Sequence, residues 1–356
     1  MKDLMTLLAI PTETGECDLM YDYLLDLGHK EGWDMYNDKA GNLYAIKGVA
    51  TTYPCAVAHM DTVHKIEKGG ILPVEVNGKI IGINPLDMEQ TGIGGDDKCG
   101  IWAALHCLRV SPAAKVAFFV DEEGGCLGSG NCDMTFFKDC RFILQADRRG
   151  NSDFVTEIAG EALSSGEFLL AVAPILKRYG YKRSMGLMTD VMELRDNQVG
   201  ISAANMSAGY YNPHMKCEHI DLLDLENVCA LMDTIFREVI EVYPFICPPK
   251  VHSSKTTFPD YVPSKSGVSD SAVDAWNAWS GGSETHARCS YCNMLSHLAL
   301  DLMQLDPPIC IDCAIYKDEH GFYPVANESS FWRRLAGGGK RKRHRQDKYN
   351  RSNGGQ

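Results

Sequence analysis

Two periodicities alternate along residues 1–248. In "MKDLMTLLAI" and "CDLMYDYLLDLGHK" the apolar residues recur every three or four positions, the spacing that lays one helix face against a core. "NLYAIKG", "PCAVAHM", "KVAFFVD", "RFILQAD" and "VGISAANM" are short apolar runs bounded by turn residues or charges, and they read as strands. "VEVNGKIIG" sets Asn77-Gly78 between alternating segments, which predicts a hairpin. "DKCGIWAALHCL" predicts a helix starting just after Asp96, and "DLENVCALMDTIFREVIEVY" a longer one. Strand–helix alternation of this kind predicts an α/β fold, a mostly parallel mixed sheet sandwiched by helices.

The texture changes after Pro248. Residues 249–283, with "PKVHSSKTTFPDYVPSKSGVSDS", are rich in Pro, Ser and Lys and read as a linker. Residues 284–330 hold "CSYC" and "CIDC", two Cys-x-x-Cys pairs separated by seventeen residues. That spacing predicts a small Cys₄ zinc ribbon with one structural zinc on Cys289, Cys292, Cys310 and Cys313. A segment so short needs the metal to hold its fold. Residues 331–356 form a basic tail expected to be disordered.

Charge sharpens this division. The net charge is −12, yet from Phe331 to Gln356 nine Lys/Arg stand against one Asp, so the tail carries +8 and the rest −20. An acidic body argues against nucleic acid as its main partner, while ribbon and tail leave a polyanion or protein contact open. No apolar run approaches membrane-spanning length, and "MKDLMTLLAIPT" lacks a signal-peptide layout. Fourteen scattered cysteines without a compact framework then point to a reducing, cytoplasmic compartment.

The ends of the strand-like runs carry the chemistry. "PCAVA" ends in His59-Met60-Asp61, "KVAFFV" in Asp121-Glu122-Glu123 and "RFILQA" in Asp147; "VGISAAN" is followed, past a Gly-Tyr-Tyr turn, by His214. Open α/β sheets gather ligands at the carboxyl ends of their strands. Asp96, on a glycine-rich turn before a helix, can join the same edge. Two imidazoles and three carboxylates suit a pair of zinc-like ions bridged by one carboxylate. Without a cation, so many carboxylates would push one another's pKa values up. Singly, each residue has a plainer reading. The acidic triplet reads as a solvated turn, His59 as a polar residue leaving the core, and Asp147 as the partner of Arg148 or Arg149. His219 competes with His214.

"HMDTV", "GGDDKCG", "DEEGG" and a late His, in that order, resemble the di-zinc exopeptidase superfamily of peptidase T, carboxypeptidase G and acetylornithine deacetylase. "LLAIPTETGE", "DKAGNLYAIKG" and "SAGYYNPHMKCEH" extend the likeness over roughly residues 5–240. The resemblance implies His59, Asp96 and Asp147 on one metal, with Asp96 bridging to a second held by Glu123 and His214. It implies Asp61 as the orienter of His59 and Glu122 as general base; Asp96 rather than Asp97 follows the family's Asp-x-Lys-Gly pattern. Two zinc ions are implied, with cobalt or manganese as substitutes. Thr189-Asp190 in "GLMTDV" is similar to a substrate-side turn of that family, and reads equally as a helix cap. The family's lidded members insert a substrate-binding and dimerisation domain after the Asp ligand. Here His214 follows Asp147 by only 67 positions, so the lid is expected to be missing and the chain to be a monomer.

These readings predict a metal-dependent exopeptidase hydrolysing amide bonds of small peptides, an aminopeptidase first. A deacylase or carboxypeptidase acting on N-acyl amino acids, with Arg148 or Arg149 on the substrate carboxylate, is the second enzyme reading. An inactive body serving the ribbon is the reading of another class, against which the intact Glu122 speaks.

Overall fold

A computed structural model of the chain describes residues 2–158 and 160–247, together with the backbone of 286–288 and 295–297. His286–Arg288 and Leu295–His297 pair antiparallel and belong to a second unit. Cys289, Cys292, Cys310 and Cys313, the linker and the basic tail lie outside the described residues.

In the first unit α1 (Lys2–Leu8) and α2 (Asp18–Glu31) precede β1 (Asp34–Asn37), β2 (Leu43–Lys47) and β3 (Tyr53–His59). Next come β4 (Leu72–Val76), β5 (Lys79–Ile83), β6 (Gln90–Thr91), α3 (Gly95–Val110), β7 (Ala114–Phe119) and α4 (Leu127–Gly130). The chain continues through β8 (Cys140–Arg148), β9 (Asp153–Ile158), β10 (Glu161–Ala162), α5 (Gly166–Tyr179), β11 (Lys182–Gly186), α6 (Asp190–Asp196) and β12 (Ala203–Ser207). β13 (Tyr210–Tyr211), β14 (His219–Asp221) and α7 (Leu222–Glu238) follow.

Nine strands make the main sheet, in the order β1-β2-β7-β3-β8-β12-β9-β10 with β11 on β9. Its centre, β7-β3-β8-β12, is parallel, and antiparallel pairs lie to either side. Every residue of β3 is buried, as a near-continuous apolar run requires when both faces of a parallel strand are covered. Cys55 and Val57 pack with Val191 and Leu194 of α6, while α3 lies against the same strand. The α/β sandwich expected from the alternation is therefore what forms.

A second sheet runs β13-β14-β5-β4, with β6 on β5. Its β4–β5 hairpin turns at Asn77 (φ 52°) and Gly78 (φ 77°), the two positive φ values that a type I′ turn demands. Three details differ from the sequence reading. Tyr210-Tyr211, expected as a turn, is strand β13, and the reversal is made at Gly209 (φ 84°). The last helix stops at Glu238 rather than running on to Tyr243. Between Asp153 and Asp196 the sequence reading marks only the helix start at Thr189-Asp190, where α6 begins; α5 carries an internal Pro174.

Parallel strands share a direction, so β3, β7 and β8 all finish at one edge. That edge carries the chemistry.

Candidate metal centre

His59 is the last residue of β3 and is buried. Its Nε2 lies 3.3 Å from Asp96 Oδ1, 3.6 Å from Asp147 Oδ1 and 4.0 Å from Glu122 Oε2. The other oxygen of Asp96, Oδ2, is 3.3 Å from Nε2 of His214. One carboxylate thus presents an oxygen to each of two imidazoles. Glu123 Oε1 closes the second group at 3.1 Å from His214 Nε2. His59, Asp96 and Asp147 form one cluster of potential ligand atoms and Asp96, Glu123 and His214 another, each within 4.8 Å. A third cluster joins His59 with Glu122 and Glu123. All five predicted ligands and the predicted base come together.

Local backbone geometry delivers these groups. Asp121 (φ 51°) and His214 (φ 65°) are non-glycine residues in the left-handed region, a conformation that concentrates at functional sites. Asp121 turns the chain after β7 and anchors it, its Oδ1 accepting from Gly15 N–H at 2.7 Å. Asp96 and Asp97 depart from helical φ/ψ at the start of α3. Asp97 points elsewhere, accepting from the N–H groups of His59 (3.2 Å) and Gly100 (3.0 Å).

Asp61 does more than orient His59. The imidazole Nδ1 is 3.0 Å from the Asp61 carbonyl and 3.4 Å from its carboxylate. That carboxylate accepts from the N–H groups of Glu122 (3.0 Å) and Glu123 (3.3 Å) and from Thr14 Oγ1 (3.1 Å). It therefore fixes the acidic turn as well as the ring.

Electrostatics bear on what the cluster requires. Burial lifts the Glu122 carboxyl to about 9, against the pull of His59 and with help from Asp147, Asp190 and Glu123. Burial and neighbouring Asp96 lift Asp147 to about 8, and burial with Asp96 raises Glu123. Asp96 moves the other way; burial would raise it, but His214 and His59 together hold it well below the carboxylate range. Like charges packed this closely cannot all ionise unless a cation joins them. Glu123 Oε1 is moreover buried and accepts no hydrogen bond, His214 standing 3.1 Å away without the geometry for one. The donor set is imidazole and carboxylate, which suits zinc, cobalt or manganese.

Other predicted residues fall outside this group. His219 is half-buried, stacks on Tyr211 and lies 3.4 Å from Lys79 Nζ. Arg148 Nε donates to Asp153 Oδ2 at 2.7 Å, and Arg149 contributes its carbonyl to Ser207. Asp190 is fully buried, its Oδ2 accepting from Gln145 Nε2 at 3.0 Å. Thr189 precedes α6 without capping it; its hydroxyl donates to Gln145 Oε1 at 2.8 Å.

Sequence patterns did not disclose the residues that hold Asp147. Asn205 Oδ1 accepts from Asp147 N–H at 2.9 Å and Asn205 Nδ2 donates back to the Asp147 carbonyl at 3.0 Å. Gln145 Nε2 reaches Asp147 Oδ2 at 3.2 Å. "VGISAANM" ends its apolar run at this Asn, the one signal that could have flagged it.

Among solved structures, the aminopeptidase PepT of Bacillus cereus ATCC 10987 superimposes with a TM-score of 0.57 at 15% identity, covering 67% of this chain and 97% of that one. The chain shares the fold of that peptidase. A tripeptidase of Staphylococcus aureus subsp. aureus Mu50 aligns at TM-score 0.53 and 14% identity, over 66% of this chain and 96% of its own. No protein-family model and no curated protein matches the sequence.

Proposed function

We propose that the protein is a metal-dependent exopeptidase that hydrolyses small peptides, an aminopeptidase in first place. One observation carries the reading: Asp96 offers an oxygen to each of His59 and His214, with Asp147 and Glu123 completing the two sides. Two divalent ions, zinc by donor type, would supply Lewis acidity toward a peptide carbonyl and the attacking water. Asp61, Asn205 and Gln145 hold the ligands in place. Glu122 stands beside His59 outside the two ligand sets that Asp96 joins, and takes the proton from the attacking water. It then passes that proton to the leaving amine.

The peptidase fold supports a peptide substrate. Arg148, one of the two arginines on which the acyl-amino-acid reading leaned, is engaged with Asp153, which leaves that reading Arg149 alone. We keep the Cys₄ ribbon in the proposal, with a third zinc on Cys289, Cys292, Cys310 and Cys313 and contact to a polyanion or protein through ribbon and tail. We also keep the monomer and the cytoplasmic site of action in the proposal.

The test is a panel of free, N-acetylated and C-amidated di- and tripeptides, with the purified chain loaded with zinc, cobalt or manganese. Cleavage confined to free amino termini is expected. Cleavage of acylated substrates would transfer the reading to the deacylase, and inertness with every metal would overturn it.

A further inference from the structure

Glu218 belongs to none of the three ligand clusters, yet it is 0% exposed and lies four residues beyond His214 on the loop that enters β14. A buried carboxylate needs partners, and this one has three. Its Oε2 accepts from Gly94 N–H at 2.8 Å and stands 2.8 Å from His64 Nε2. Its Oε1 accepts from Asp96 N–H at 3.1 Å.

The glycine turn is shaped around that carboxylate. Gly94 sits in the left-handed region (φ 68°), open to glycine without a Cβ penalty. A Cβ on Gly95 would come within 3.3 Å of Glu218 Oε1 and 2.7 Å of Tyr210 Cβ. A Cβ on Gly92 would strike the His64 ring at 2.1 Å. The side chain of Glu218 therefore reaches the backbone of the bridging residue only because "GIGG" carries almost no side chains.

We propose that Glu218 is the positioning residue for the bridging carboxylate. One loop then builds the second metal subsite twice over: His214 supplies a ligand, and Glu218 ties down the N–H of Asp96, whose oxygens join the two subsites. His64, arriving on the loop after β3, completes the tie. This inference rests on the metallohydrolase reading above. Groups that orient metal ligands are worth about 10–100-fold in metal affinity or activity.

The experiment uses the full chain and cobalt(II), followed by its visible absorption in competition with a chelator, beside kcat and KM on a tripeptide. Glu218→Gln preserves the shape of the side chain but not its capacity to accept from both N–H groups and His64. One of the two catalytic-centre cobalt ions is expected to loosen by about 10–100-fold. A fall in kcat with KM unchanged should accompany it, because Glu218 does not touch substrate. His64→Ala spares both backbone hydrogen bonds and serves if Glu218→Gln does not fold; there the same ion loosens, by less. Unchanged cobalt affinity and kcat in a variant that folds would overturn the proposal. A wild-type chain that takes up no cobalt would overturn this proposal and the metallohydrolase reading together, so the two failures are told apart.

Discussion

Replacing Glu122 by Gln separates the base from the ligands. The two side chains have the same shape, and the anchors of the turn are untouched, since Asp61 holds the backbone N–H of residue 122 at 3.0 Å. The Cys126 thiol, which donates to Glu122 Oε1 at 3.5 Å, can donate equally to an amide oxygen. What is lost is the proton acceptor next to His59. Such a group contributes about 10²–10⁴-fold to rate, or roughly 3–5 kcal/mol of barrier at about 1.36 kcal/mol per decade. The charge on Glu122 also weighs on Asp147 and Glu123, which face it within the cluster, so removing it relieves repulsion among the ligands. Metal content is therefore expected to hold or rise while kcat/KM collapses. Element analysis of the purified variant, with peptide hydrolysis followed at saturating zinc, reads both quantities, and Asp96→Ala gives the contrast by losing metal too. A Glu122→Gln chain that kept more than about a tenth of wild-type turnover would refute the assignment of the base, given the range such groups span.

Two further expectations concern the scaffold. In Gly100→Ala the new Cβ would lie 2.2 Å from Asp97 Oδ1 and 2.6 Å from the Ala146 carbonyl; overpacking against backbone should destabilise by about 1–3 kcal/mol, read by urea unfolding of the apo chain, and an unchanged midpoint would show that α3 can shift away from β8. Asp38 accepts from Tyr44 Oη (2.6 Å), Asn42 Nδ2 (2.9 Å) and the N–H groups of Ala40 and Asn42 (2.9 and 3.1 Å), so Asp38→Ala should cost at least about 2 kcal/mol. Burial would raise the Asp38 carboxyl, but those donors outweigh it and hold it below its ordinary 3.8. A carboxyl depressed in the folded state stabilises above the unfolded value and loses that contribution as pH falls through the folded one. The stability gap between wild type and variant should thus be full at neutral pH and close in acid below 3.8; a gap that persisted there would show that the ionised carboxylate is not what holds the turn.

How much of this could be read from the chain alone depended on where the information is stored. His59, the Asp121–Glu123 triplet and Asp147 each end an apolar run, so periodicity marks the strand and the first polar residue marks its carboxyl end. Parallel pairing then brings the runs to one edge without further instruction. Glu218 has no such mark, and the end of the apolar run at Asn205 does not name its partner. Glu218 meets its backbone partners across 122 and 124 residues of chain, and Asn205 meets Asp147 across 58. Their roles are set by tertiary approach between segments, which leaves no period to find. The stretch from β9 to α5 escaped for a local reason: α5 carries a helix-disfavouring Pro174 inside it, and β10 is only two residues long.

Three adjacent carboxylates at the end of a buried strand would be unfavourable if all three faced one another. Asp121 stands apart from the other two. Asp121, in the left-handed region, faces back to the N–H of Gly15; Glu122 approaches His59 and the Cys126 thiol; Glu123 reaches His214. Asp61 and the N–H groups it gathers make that divergence rigid. The remaining repulsion, among Glu122, Glu123, Asp96 and Asp147, has no remedy among the described residues of the clusters: His59 and His214 are the only cationic groups there, and each already faces at least two of these carboxylates. A sequence selected for stability alone would have replaced one or more of them with neutral groups. Retaining four is intelligible if positive charge enters from outside the chain, and the split of Asp96 between two imidazoles gives that charge two places to sit.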